Sequence, residues 1–119
     1  MIYIFRGGNE IKEVIGADVA STVLNYHEIF VGIKHSKAKA EERFFRRFFS
    51  DIKILNFDII AAERSSEIMS RLLALGISVN AIDVLIAGIA VANGAETLIS
   101  RDGDFESIAK ATELDIKVY

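Results

Sequence analysis

The chain has 119 residues, 51% of them hydrophobic and 26% charged, with a formal net charge of −3, no cysteine and no proline. That length suits one domain around one continuous core, and that mix of apolar and charged residues excludes a disordered chain. The lack of cysteine excludes disulfide and thiolate chemistry, and the acidic balance argues against a protein that coats nucleic acid through its overall field.

The N-terminal stretch MIYIFRGGNE lacks the charged start, long apolar middle and small-residue cleavage site of a secretory signal, so a cytoplasmic protein is expected. EIKEVIG reads as a short helix closed by Gly16. DVAST, residues 18–22, has the composition of a strand, and TVLNYHEIFVGI continues as a helix. In it Leu24 and Val31 flank Glu28 at four before and three after, which predicts a partly buried acid; a paired core glutamate is the bland alternative. His27 and His35 have no metal-ligand spacing and read as surface or packing residues.

AEERFFRRFFSD is a further helix, with Phe44, Phe45, Phe48 and Phe49 at i, i+1, i+4 and i+5. Core packing is one use for that stripe. The other is a groove wall for a partner helix, with Phe45 and Phe49 as aromatic anchors. Lys34, Lys37, Lys39, Arg43, Arg46 and Arg47, set against Glu41 and Glu42, give this region a local charge of +4, which leaves −7 on the rest of the chain. Such a basic patch on an acidic body suits RNA phosphates, although a solvated helix face has the same composition.

KILNF, residues 53–57, is a second strand, and DIIAAERSSEIMSRLLALG a long helix opened by Asp58 and closed by Gly76. AIDVLIAGIAVANG is a further helix, apolar nearly all round as expected of one packed inside the molecule, and ends at Gly94. Its apolar run, Ala81 to Ala92, contains Asp83 and falls short of the roughly 20 residues a membrane span needs. TLIS (97–100) and DIKVY (115–119) complete the strands. Helices alternating with short strands predict the α/β class, a parallel sheet covered on both faces, in a single domain over residues 1–119.

In such folds ligands bind beyond the carboxyl ends of the strands. Three acids arrive there by separate routes: Glu28 about two turns after DVAST, Asp83 at the start of its helix, and Asp102 two residues after TLIS. Each has an ordinary explanation alone. Asp83 could serve the helix N-terminus, worth roughly 0.3–1 kcal/mol, though Asn80 or Ser78 already supplies a cap; Asp102 and Asp104 could be turn residues around Gly103. Together they make a hard oxygen-ligand site suited to Mg²⁺ or Mn²⁺ rather than zinc.

TVLNYHEIFVGI and NAIDVLIAGIAVANGAETLISRDGDF resemble the signature of PIN-domain ribonucleases, most closely the VapC toxins of VapBC toxin–antitoxin pairs. The resemblance implies a three-layer α/β/α fold and a magnesium-dependent endoribonuclease acting on structured RNA such as tRNA or ribosomal RNA. It also implies neutralisation by a small antitoxin protein and a habit of dimerising. Carried over position by position, Glu28, Asp83 and Asp102 match the catalytic, metal-holding acids. Asp104 matches a supporting ligand, and Ser100 the hydroxyl residue that lines the site.

The resemblance departs at the start. Family members open with a central strand ending in Asp-Thr-Asn or Asp-Thr-Ser and continue into a helix resembling VLIYLLRG; MIYIFRGG resembles that helix already in progress. The first metal-ligand aspartate is therefore expected either upstream of Met1 or nowhere, with MIYIF itself taking the central strand position. In the second case the alternative function is a non-catalytic PIN-like module that binds an antitoxin or RNA.

Overall fold

Helix ends in the computed structural model, which describes residues 3–6, 18–100 and 103–118, follow the capping residues in the sequence. Strand β1 (Tyr3–Arg6) is followed by β2 (Asp18–Thr22), α1 (Val23–Ser36), α2 (Lys39–Asp51), β3 (Lys53–Leu55) and α3 (Ile59–Ala74). Then come α4 (Ala81–Ala92), β4 (Thr97–Ser100), α5 (Asp104–Ala109) and β5 (Asp115–Val118). The Asp58 carboxylate accepts the Ala61 N–H at 2.9 Å and the Asn80 side chain accepts the Ile82 N–H at 2.9 Å, so both predicted caps open their helices. Gly76 and Gly94 close α3 and α4 with φ of 72° and 67°, the left-handed turn that glycine adopts without steric cost. Lys37 closes α1 in the same conformation at φ 57°, its N–H bonded to the Ile33 carbonyl at 2.8 Å. The helix predicted at EIKEVIG lies outside the described residues.

The strands form one sheet in the order β3-β2-β1-β4-β5. β2 pairs with β3 and β4 with β5 in parallel, while β1 lies antiparallel to both β2 and β4. Tyr3–Arg6 thus contribute a central strand and not the helix that the resemblance of MIYIFRGG to VLIYLLRG implied, and the sheet is parallel except at its centre. Chain length accounts for the direction. Only eleven residues separate Arg6 from Asp18, its partner in register, and a parallel pairing needs a crossover of a dozen or more. β3 ends at Leu55 rather than at Phe57 because β2, its one neighbour among the described residues, ends opposite it at Thr22.

Alternation along β3 separates two cores. Leu55 faces an apolar cluster built by α3, α4 and α5 with Ala20, Leu98 and Ile116, whereas Ile54 faces a second cluster built by α1 and α2. Helices therefore cover both faces of the sheet, the α/β/α layering expected. In the first cluster Val84, Ile86, Ala87, Gly88, Ile89 and Ala90 are all buried, so α4 has no solvent face along its middle. It reaches that depth by lying close to α3. A Cβ at Gly88 would stand 2.6 Å from Ser65 Cβ and 2.8 Å from both the Ala61 carbonyl oxygen and the Ser65 nitrogen, two of these being backbone atoms that cannot swing aside.

The second cluster is aromatic. Tyr26 and Phe30 stack at 4.4 Å between ring centres, and Phe49 lies 5.0 Å from Tyr26 and 6.1 Å from Phe30. Phe49 is only 5% exposed, which corrects its assignment as a partner-binding anchor: its ring joins α2 to α1. Phe45 and Phe48 are half-buried against the same cluster, and Phe44 alone points outward, 61% exposed.

Gly88→Ala is expected to lower the unfolding free energy by about 1–3 kcal/mol through overpacking, although alanine is the better helix former by about 1 kcal/mol. Gly32→Ala is the control: its methyl meets nothing within 4 Å, so it should gain up to about 1 kcal/mol. Urea denaturation of both variants reads the contrast. By the same measurement Phe49→Ala should cost about 3–5 kcal/mol and Phe44→Ala no more than about 0.5 kcal/mol.

Candidate functional site

The parallel strands finish at Thr22, Leu55, Ser100 and Val118. At the first of these the chain ties a polar knot. Thr22 accepts the Asn25 N–H at 3.1 Å and donates its hydroxyl to Asn25 Oδ1 at 2.8 Å, while the Ser21 hydroxyl donates to the same oxygen at 3.3 Å. All three residues are buried, so these bonds are made where water competes little. They lock the first turn of α1 to the end of β2 and thereby fix the direction in which every later α1 side chain leaves the helix. Asn25 was not singled out from the sequence. The signal was present in Ser-Thr-x-x-Asn, a capping hydroxyl followed three residues later by an amide able to return its bond.

Glu28 lies one turn beyond Asn25. It is exposed, which corrects the expectation of a partly buried acid. The inward face of α1 carries Asn25, Phe30 and Ile33, whereas Val31, expected to cover Glu28, is itself 54% exposed. Gly32, four residues on, leaves the space beside it open. His27 and His35 are exposed on the same helix, in keeping with their reading as surface residues.

Asp83 occupies the first turn of α4 and is 6% exposed. Among the described residues it is the single acidic or basic side chain that is buried. Since Asn80 supplies the cap, end-capping does not explain its presence, though the positive end of the helix dipole favours a carboxylate there. Helices α1 and α4 are in contact, and Leu24 of α1 packs on the apolar cluster that α4 fills.

Ser100 is buried at the last position of β4, on the sheet face that also carries Leu98. Asp102 lies outside the described residues. Asp104 is exposed at the first position of α5, a helix where the sequence suggested a turn. Among the described residues no three Asp, Glu, His or Cys side chains cluster closely enough to hold a metal ion. The groups described at this edge are carboxylate, hydroxyl and amide oxygens, a donor chemistry that fits Mg²⁺ or Mn²⁺ and not a thiolate or imidazole metal.

The predicted basic residues divide. Lys34, Lys37, Lys39, Arg43 and Arg47 are exposed. Arg46 is exposed too but is paired: its Nε donates to Glu42 Oε2 at 3.0 Å and its guanidinium lies 4.8 Å from the centre of the Phe30 ring. The hydrogen bond to Glu42, with that residue's charge, raises the Arg46 pKa further above its already basic value. A separate cleft of about 670 Å³ lies at the opposite end of the sheet, between α3, the end of α4 and the segment leading into β5, with Arg64, Glu67, Arg71 and Glu113 on its walls. It contains none of the predicted site residues. No described helix is long and apolar enough to cross a membrane.

Comparison with known proteins agrees with this architecture. The fold is similar to that of VapBC-5 from Mycobacterium tuberculosis, a member of the VapBC family of toxin–antitoxin systems, with a TM-score of 0.74 and 24% identity over 84% of this chain and 81% of that one. It is similar also to VapBC2 from Rickettsia felis bound to a promoter DNA fragment (TM-score 0.72, 23% identity, 83% of this chain and 73% of that one). DNA-bound VapBC from Salmonella typhimurium matches comparably (TM-score 0.72, 21% identity, 83% and 74%). No curated protein sequence matches the chain. The family profile described as the PIN domain matches residues 1–111, a span that contains the polar knot, the buried Asp83 and the five helices of the described residues, and the chain belongs to the PIN domain family.

Proposed function

We propose that this protein is a Mg²⁺-dependent endoribonuclease, the toxin of a toxin–antitoxin pair, that hydrolyses RNA phosphodiesters. The observation that carries the reading is Asp83: a buried carboxylate in a nearly all-apolar helix of a PIN-family chain, at the start of that helix. Burying a charge is costly, and coordination to a divalent cation is one of the interactions able to offset that cost. Glu28, Asp83 and Asp102 are the residues proposed to hold Mg²⁺ or Mn²⁺, with Asp104 as a supporting ligand and Ser100 lining the site. The ion, when bound, lowers the pKa of a coordinated water and offsets charge on the phosphodiester.

The chain's own residues do the rest. Asp83 would form the inner side of the site because α4 is buried along its middle, and Glu28 the solvent side, exposed on α1 one turn beyond the Ser21–Thr22–Asn25 knot. The exposed cations Lys34, Lys37, Lys39, Arg43 and Arg47 hold RNA phosphates against the repulsion of an otherwise acidic body. A small antitoxin is the proposed protein partner, in keeping with the similarity to three VapBC structures, and Phe45 at the rim of the aromatic cluster is a proposed contact for it. A second copy of the chain is the other proposed partner, and the cytoplasm the proposed location. The second reading, a non-catalytic module that binds RNA or an antitoxin, is favoured by one observation: the strand in the central position, β1, reads YIFR and carries no aspartate.

Cleavage of an end-labelled tRNA decides between them. The protein should cut in Mg²⁺, stop in EDTA and resume on repletion, while Asp83→Asn and Glu28→Gln should each lose at least about a hundredfold in rate, the upper end of what loss of a residue behind a metal's ligands costs. Equal rates for wild type and Asp83→Asn would remove Asp83 from the chemistry. RNA retention without cleavage by the wild type would establish the binding module.

A further inference from the structure

Helix α2 exposes one aromatic ring that the core does not use. Phe44 is 61% exposed, yet its ring is held in place: it lies nearly parallel to Phe48, 6.3 Å between centres at 16°, and edge-on to Phe45 at 5.0 Å and 85°. Beside it runs a row of cations. Lys39, Arg43 and Arg47 recur every four residues, about 6 Å apart along the axis, and all three are exposed. Phe44 directly follows Arg43 and precedes Arg47 by three, so the ring borders the row. Arg46, exposed as well, differs in being paired with Glu42 and lying over the Phe30 ring.

We propose that Phe44, with Lys39, Arg43 and Arg47, forms a stacking subsite for one unpaired base of RNA, separate from the acid centre; the proposal rests on the reading that the protein acts on RNA. A fixed, open ring offers a face to any base, and cations spaced along a helix track the phosphates on either side of it. The alternatives fit less well. A docked partner helix needs a strip of apolar anchors at i, i+3/i+4 and i+7, whereas α2 turns Phe45, Phe48 and Phe49 toward the core and leaves a single ring outside. Duplex RNA keeps its bases stacked inside and has none to give.

The chain has no tryptophan, so Phe44→Trp introduces a single fluorophore at the subsite. In metal-free buffer, titration of that variant with a 12-nucleotide uridine oligomer should quench its emission and give wild-type affinity, and a duplex of the same length should not quench it. Phe44→Ala and Phe44→Leu should bind the single strand about tenfold more weakly, with duplex binding unchanged. Arg43→Gln and Arg47→Gln should weaken both and shallow the salt dependence of single-strand binding by about 0.7 for each phosphate no longer neutralised. Wild-type affinity in Phe44→Leu, or no quenching by the single strand, overturns the subsite. Quenching by an acidic helical peptide and not by RNA overturns it in favour of a protein-docking face. The two readings fail separately: normal tRNA cleavage with an unaffected Phe44→Ala leaves the nuclease and removes the subsite, while Phe44-dependent binding without cleavage leaves the subsite and removes the nuclease.

Discussion

The close approach of α4 to α3 at Gly88 is the constraint on which the rest of the structure depends. An apolar helix of twelve residues has to be covered on every side, and α4 achieves this only because position 88 offers no side chain to Ser65 and Ala61. Interiors are packed as densely as organic crystals, so a shift of a few tenths of an ångström there is transmitted and not absorbed. What it would be transmitted to is Asp83, five residues away on the same rigid helix. The acid has no flexible stem with which to compensate for a misplaced backbone, having only two side-chain torsions. The packing of α4 on α3 therefore sets the position of the charge, and the buried position of the charge sets what it can be used for.

The sheet divides the labour between its faces. On one, α3, α4 and α5 build an aliphatic core with Leu55, Leu98 and Ile116, which holds the acid. On the other, α1 and α2 clasp one another through Tyr26, Phe30, Phe45 and Phe49 and present the basic row to solvent. The two cores are joined where consecutive residues of β3, Ile54 and Leu55, point to opposite sides. A pleated strand makes that separation automatic. One consequence is electrostatic: the local excess of positive charge is carried by helices outside the core that holds the carboxylate.

Features fixed by local chemistry were legible in the sequence. The caps at Asp58 and Asn80, the left-handed closures at Gly76 and Gly94, and the strands at 18–22 and 97–100 depend on a few adjacent residues and stand as predicted. Features that depend on distant partners were not. The end of β3 is decided by where β2 stops, and the reversed direction of β1 by how much chain is left to reach Asp18. The exposure of Glu28 misled for a related reason: Leu24 and Val31 predict a covered residue only if α1 turns that side inward, and the Asn25 knot and the Phe30 ring turn it outward instead. The α2 phenylalanines show the limit most clearly, since four rings spaced within six residues carry no sequence mark to distinguish Phe49, 5% exposed, from Phe44, 61% exposed.

These readings meet in the handling of charge. The body of the protein is acidic and its one buried ionisable side chain among the described residues is an aspartate, so the sheet edge favours cations and disfavours RNA on electrostatic grounds alone. A divalent ion reverses that preference locally, because it is the largest charge in any site it enters and turns carboxylates that repel phosphate into ligands of an ion that attracts it. Away from the edge no ion is needed: Lys39, Arg43 and Arg47 carry fixed positive charge on a helix whose place is set by aromatic packing and not by metal. On the proposed function RNA would thus be held by α2 whether or not the acid centre is filled, whereas hydrolysis would depend on the ion. On the proposed function, binding and cleavage would accordingly use different residues and respond to different conditions: binding to ionic strength through α2, and cleavage to divalent metal through Glu28, Asp83 and Asp102.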